Sequence, residues 1–134
     1  MAVLECIVVT PEATVLEQAA EFIVLPLEDG EIGIAPGHSP LIGRLGYGEM
    51  RIRSGGQTSR YYIDGGFVQV ADNVVSVLTN RALPAATIDP AVAQEHLVTA
   101  RNRSATSDEE LLYRQKLERQ ARAQLRVAER AKAS

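Results

Sequence analysis

Two periods divide the chain. Up to about Leu83, apolar positions fall in short runs, some alternating with the two-residue period of a half-buried strand. Residues 3–9 form an apolar, β-branched run interrupted by Glu5 and ended by Thr10-Pro11-Glu12. Residues 21–27 form a second run, closed by Glu28-Asp29-Gly30. Met50 and Ile52 alternate with Arg51 and Arg53, Ser54-Gly55-Gly56 marks a hairpin turn, and residues 60–63 return from it. Asp64-Gly65-Gly66 predicts a strand break or bulge before Phe67, Val68 and Val70 resume. Asp72-Asn73 turns the chain into a last run, residues 74–78. Many short strands at regular spacing predict an antiparallel sandwich or barrel.

After Leu83-Pro84 the period becomes helical. Asp89 before Pro90 supplies a capping oxygen, then a proline where no N–H is needed. Ala93, Leu97 and Ala100 share one face of the helix that follows. Residues 103–107 break it, and Ser107 to Glu110 reads S-x-x-E, a capping box for a second helix reaching about Ala131. Asp108, Glu109 and Glu110 place negative charge at the positive end of its dipole. Tyr113, Leu117, Ala121, Leu125 and Ala128 lie within one arc of that helix. Lys116, Arg119, Arg122, Arg126 and Arg130 lie roughly opposite. Two helices joined by a short loop predict an antiparallel hairpin held by a mostly alanine stripe. The expected division is residues 1–86 for the β part and 87–134 for the hairpin.

Charge follows the same division. The net charge is −3; residues 1–88 carry five basic and ten acidic side chains, residues 89–134 nine basic and seven acidic. The two parts should therefore have different neighbours. An acidic larger part with few aromatics argues against nucleic-acid binding. There is no Trp, so the core must be built from Val, Ile, Leu and Ala. Cys6 is the only cysteine, which excludes an intrachain disulfide and reads as a small buried hydrophobe. The start lacks the basic flank of a secretory signal, and no apolar run approaches the ~20 residues of a membrane span. The expectation is a soluble chain that meets a membrane only through partners.

Residues 30–41, GEIGIAPGHSPL, concentrate backbone constraint around His38. Glycine admits angles barred to other residues, and proline fixes one angle and removes a donor. The segment reads as a rigid, shaped loop, a usual place for function. His38 and His96 lie in different halves, so a metal site from them is not expected. Ser39 lies in no strand–turn–helix elbow, and no Walker-type loop, C-x-x-C or H-E-x-x-H occurs. No catalytic residue is assigned, and the chain is not expected to be an enzyme.

Three stretches resemble the epsilon subunit of rotary F-type ATP synthases. Residues 30–41 match that family's G-x-[IL]-G-[IV]-x-P-G-H-[AS]-P-L loop. Residues 62–70, YIDGGFVQV, are similar to its strand with a central double glycine, and the tail opens at Ile88-Asp89 and closes in a basic segment. The resemblance implies a sandwich of ten short strands followed by the helical hairpin. It implies a rotor subunit in the central stalk, bound to the gamma subunit and resting on the c-ring of the membrane sector. It places Glu31, Pro36, Gly37, His38 and Ser39 against the c-ring. It also implies that the tail extends to the catalytic beta and alpha subunits and brakes ATP hydrolysis through the basic stripe. The other reading of that stripe is a solvated face. Some members bind ATP at an [IL]-D-x-x-R-A motif; here Ile88, Asp89 and Ala93 fit, with Arg122 and Arg126 on the second helix. Val92 stands in place of the motif arginine, which removes a guanidinium contact that valine cannot replace. No cofactor is therefore assigned, and the alternative is a nucleotide-sensing module built on the hairpin. The implied location is peripheral, on the cytoplasmic face of a bacterial inner membrane, or on a thylakoid membrane in a photosynthetic source.

Overall fold

Eight strands occupy the first part of the chain in the computed structural model, which describes residues 3–133. They are β1 (Leu4–Val9), β2 (Thr14–Ala20), β3 (Phe22–Leu27), β4 (Gly30–Ile34), β5 (Leu41–Ser54), β6 (Gln57–Ala71), β7 (Val74–Leu78) and β8 (Ala82–Pro84). Hydrogen-bonded neighbours run β2-β1-β7-β6-β5-β3-β4, with β8 also on β6. Among the described residues, only β1 and β7 pair in parallel.

The 14-residue β5 and 15-residue β6 make this a sandwich. Residues 41–45 of β5 pair with residues 66–70 of β6, and that ladder continues through β7 to β1 and β2. Residues 50–54 pair with residues 57–61, and this half carries β3 and β4 on one side and β8 on the other. Each long strand thus serves two layers, so eight elements supply ten strand segments. The inward residues form one aliphatic core, including Leu4, Cys6 and Val8 of β1, Ile23 and Leu25 of β3, and Val75 and Val77 of β7.

The expected interruption at Asp64-Gly65-Gly66 is a bend within β6, not a break. The register with β5 is the same on both sides, Tyr47 opposite Asp64 and Leu45 opposite Gly66. What changes is the other neighbour, β8 before the bend and β7 after it. Gly65 and Gly66 turn the strand at φ of 71° and 108°, and a Cβ on Gly66 would overlap the Leu78 carbonyl. Asp64 ties down the link between β7 and β8. Its N–H donates to the Arg81 carbonyl and to Thr79 Oγ1, both at 3.1 Å, and its carbonyl accepts from Asn80 Nδ2 at 3.2 Å. Its buried carboxylate accepts from Tyr62 OH at 2.7 Å and Arg81 Nε at 3.2 Å.

Four strands depart from the sequence expectation. β2 and β8 lie where no strand is read, β5 begins at Leu41 and not near Met50, and Gly30–Ile34 of the expected loop is strand β4. β4 is an edge, hydrogen-bonded to β3 alone, so it needs only one satisfied side. Gly33 leaves room there for the Phe22 ring, whose tip lies 2.7 Å from where a Cβ would be. Pro26 is accommodated in β3 because the β3–β5 register shifts between Val24 and Leu27.

The second unit begins at Ala85, where a 3₁₀ turn, Ala85–Thr87, packs on the second helix. Helix α1 (Pro90–Arg101) is capped by the Asp89 carboxylate, which accepts from Ala91 N at 2.9 Å. It buries Ala93, Leu97 and Ala100. Helix α2 (Asp108–Ala133) starts with Ser107 Oγ accepting from Glu110 N at 3.1 Å. Glu110 Oε1 takes the hydroxyls of Ser107 and Thr106, not the backbone N–H of a reciprocal capping box. α1 and α2 pack against one another. Ala121 and Ala128 are buried as the stripe requires, with Leu117 and Leu125 half-buried. Tyr113 is exposed instead, its ring covered by the Arg103 guanidinium at 4.8 Å, and Ala123 and Val127 are buried in addition.

Gly66→Ala should therefore cost about 4 kcal/mol or more, through overlap with backbone. Gly55→Ala, at φ 60° with open space around it, should cost only about 1–2 kcal/mol. Urea unfolding of the two variants checks the contrast. A second prediction concerns Cys6, whose thiol burial pushes from 9.0 up to about 12. The unfolded chain loses this proton first, so its contribution to stability is whole below pH 9 and is lost between pH 9 and about 12. Cys6→Ala should flatten that part of the pH–stability curve.

Candidate functional site

The expected loop narrows to one clamped turn. Ala35 to His38 is a β-turn closed by His38 N donating to the Ala35 carbonyl at 3.1 Å. Pro36 presets the second position and Gly37, at φ 85°, the third, which makes a type II turn. The turn is fastened from outside: Gly37 N donates to Asn73 Oδ1 at 2.7 Å. Asn73 itself sits in the two-residue β6–β7 hairpin, Asp72 and Asn73 at φ 51° and 63°, angles that suit Asn and Asp. One side chain thus locks two turns together. His38 Nδ1 lies 2.7 Å from the Ser39 carbonyl, which directs the ring. Pro36 and His38 are half-buried, and Gly37 and Ser39 are exposed.

Glu31 is not in this turn. It sits in β4, three residues before Ile34, opposite Pro26. Its side chain is 53% exposed and bound to Arg51 at 3.3 Å. Arg51 also reaches Glu49 at 3.0 Å, and Arg60 approaches the same Glu49 oxygen at 3.1 Å. The two carboxylates, Glu49 above all, favour the charged guanidinium and raise the Arg51 pKa against the desolvation that opposes them.

A second surface was not singled out from the sequence. Arg44 of β5, Phe67 of β6 and Leu78 of β7 face one another across adjacent strands, with Ile42 next along β5. Ile42 is 77% exposed, Phe67 52% and Leu78 51%. The Arg44 guanidinium lies 5.6 Å from the Phe67 ring centre. The available signal was Ile42, an apolar residue on the outward alternation of a strand whose inward residues are Leu41 and Leu45.

In the hairpin, Lys116, Arg119, Arg122, Arg126 and Arg130 are all exposed. Of the nucleotide-motif positions, Ala93 is buried, Ile88 half-buried and Val92 exposed, and the Asp89 carboxylate is already engaged as the helix cap. Among the described residues, no group of three or more His, Cys, Asp or Glu side chains converges as a metal site. No described helix is long and apolar enough to cross a membrane.

Residues 3–85 match the family described as ATP synthase, Delta/Epsilon chain, beta-sandwich domain. The ATP synthase epsilon chain of Rhodopirellula baltica is 43% identical over 125 residues, 93% of this chain and 98% of that one. The protein of the same name from a Synechococcus species is 38% identical over 124 residues, 91% and 90% of the two chains. Among solved structures, a chain of the Euglena gracilis mitochondrial ATP synthase, from its OSCP/F1/c-ring assembly, superposes with a TM-score of 0.76 at 26% identity. That match covers 99% of this chain and 81% of the other. A chain from the central stalk and c-ring of the Tetrahymena thermophila enzyme gives a TM-score of 0.73 over 93% of this chain and 96% of its own, and at 13% identity shares the fold.

Asn73→Gly keeps the backbone angle and removes the acceptor for Gly37. Hydrogen exchange at the Gly37 amide should quicken by about tenfold, the worth of one hydrogen bond. An unchanged rate would mean that the turn holds itself.

Proposed function

The chain belongs to the ATP synthase delta/epsilon chain family, and on that premise we propose that it is a rotor subunit of the central stalk. It is a non-catalytic subunit, seated between the gamma subunit and the c-ring, and it couples proton-driven rotation to ATP synthesis through gamma. The observation that carries this reading is the exposed row of Ile42, Phe67 and Leu78 beside Arg44. The outward face of a sandwich layer is ordinarily polar, and contiguous apolar side chains there mark a protein interface. That face is the gamma-docking surface.

The turn at Pro36, Gly37, His38 and Ser39, together with Glu31, faces the c-ring. A part that transmits torque must not yield under load, and this turn is fixed internally by Pro36 and externally by Asn73. The basic stripe from Lys116 to Arg130 meets an acidic segment of the catalytic beta subunit when the hairpin extends, and brakes ATP hydrolysis. Association is peripheral, through these partners, on the cytoplasmic face of the bacterial inner membrane.

Phe67→Asp should leave stability within about 0.5 kcal/mol, as a surface change does. It should weaken binding to purified gamma by about thirtyfold or more, as loss of a buried interface aromatic does. Retained gamma binding would sink the docking surface. Truncation after Ile88 should raise ATP hydrolysis by the assembled complex, and unchanged hydrolysis would remove the brake.

A further inference from the structure

Glu31 stands beside an interruption in the ladder between β3 and β5. Opposite it, Pro26 gives β3 no N–H to offer β5. On the far side of β3, the register with β5 shifts between Val24 and Leu27, across the same place. Side chains span the gap that the ladder leaves. Arg51 Nη1 lies 3.3 Å from Glu31 Oε2 and 3.0 Å from Glu49 Oε1, and Arg60 Nη1 lies 3.1 Å from that Oε1. Four charges on three strands therefore form one chain from the centre of the layer to its edge.

The two ends of this chain differ. The Glu49 side chain is 2% exposed, and a carboxylate so desolvated is held firmly by its guanidinium partners. Glu31 is half in water, and among the described residues only its Oε2 is engaged. Left alone, a glutamate on an edge strand would sample many rotamers, and each contact it made would have to offset that lost freedom. The bond to Arg51 through Oε2 narrows that sampling and leaves Oε1 available to a further donor.

We infer that Arg51 is a positioning residue for the c-ring contact. Anchored by buried Glu49, it fixes the Glu31 carboxylate and the β4 edge leading into the Ala35–His38 turn, leaving Glu31 Oε1 to accept a hydrogen bond from a donor on the c-ring loops. This rests on the reading that Glu31 faces the c-ring.

The test is a double-mutant cycle in the complete complex. F1 carrying wild-type chain, Glu31→Gln, Arg51→Gln or both is rebound to F1-stripped membranes, and its dissociation constant is measured. Glu31→Gln should weaken rebinding by about tenfold, and Arg51→Gln by about threefold to tenfold, as loss of a charge-assisted hydrogen bond does. The double variant should be no weaker than Glu31→Gln alone. Arg51→Lys keeps a charge for Glu49 but not the fork that bridges two carboxylates, and should fall between Arg51→Gln and wild type. Gamma binding by the isolated chain should be unmoved by either Arg51 variant; a merely structural role would lower both bindings together. Equal, additive losses from Arg51→Gln with and without Glu31 would overturn the inference and leave the c-ring reading intact. Unchanged rebinding by Glu31→Gln would overturn both.

Discussion

The sandwich depends on how one strand passes between two layers. β6 leaves β8 and joins β7 at Asp64-Gly65-Gly66 without losing its register on β5. Gly66 is pressed so close to the Leu78 carbonyl that no side chain fits. Asp64 replaces the ladder bonds that a bend must give up, holding Tyr62, Thr79, Asn80 and Arg81 around itself. A buried carboxylate with several partners is costly to disturb, because each partner lost leaves a desolvated charge less satisfied. These contacts hold the bend between the layers.

That constraint reaches the surfaces proposed to meet other subunits. Phe67 and Leu78, opposite one another on β6 and β7, lie just past the bend, so the bend sets their position. At the far end of the same strand pair, the Asp72-Asn73 hairpin takes hold of the Pro36-Gly37 turn through one amide. In the other layer, the chain from Glu49 through Arg51 to Glu31 ties the edge strand to the layer's centre. The first unit is thus stiffened by a few specific polar links laid over an aliphatic core. Such links are directional, so they fix the register of the elements they join.

Much of this was legible in the sequence, and the rest was not for physical reasons. The change of period near Pro84, the Asp89-Pro90 cap and the S-x-x-E start of α2 are local signals, and local signals can be read one residue at a time. β4 was hidden because Gly30 and Gly33 look like loop residues. Gly33 lies against the tip of the Phe22 ring, a contact between strands. The continuity of β6 was hidden because a double glycine has the same composition in a break and in a bend. Asn73 reads as a turn residue, and nothing local says that its amide clamps a second turn. Arg51 reads as the polar half of an alternating strand, and its two carboxylates come from different distances along the chain. The neighbour proposed for the turn comes from the family likeness of residues 30–41, since shape and charge alone leave the loop without an assignment.

The most direct test of the account is proton pumping per ATP hydrolysed by the complete membrane-bound complex, reconstituted with and without this chain. A rigid coupler between gamma and the c-ring predicts tightly linked pumping and hydrolysis when it is present, and hydrolysis with little pumping when it is absent. Equal pumping per ATP in the two preparations would contradict it.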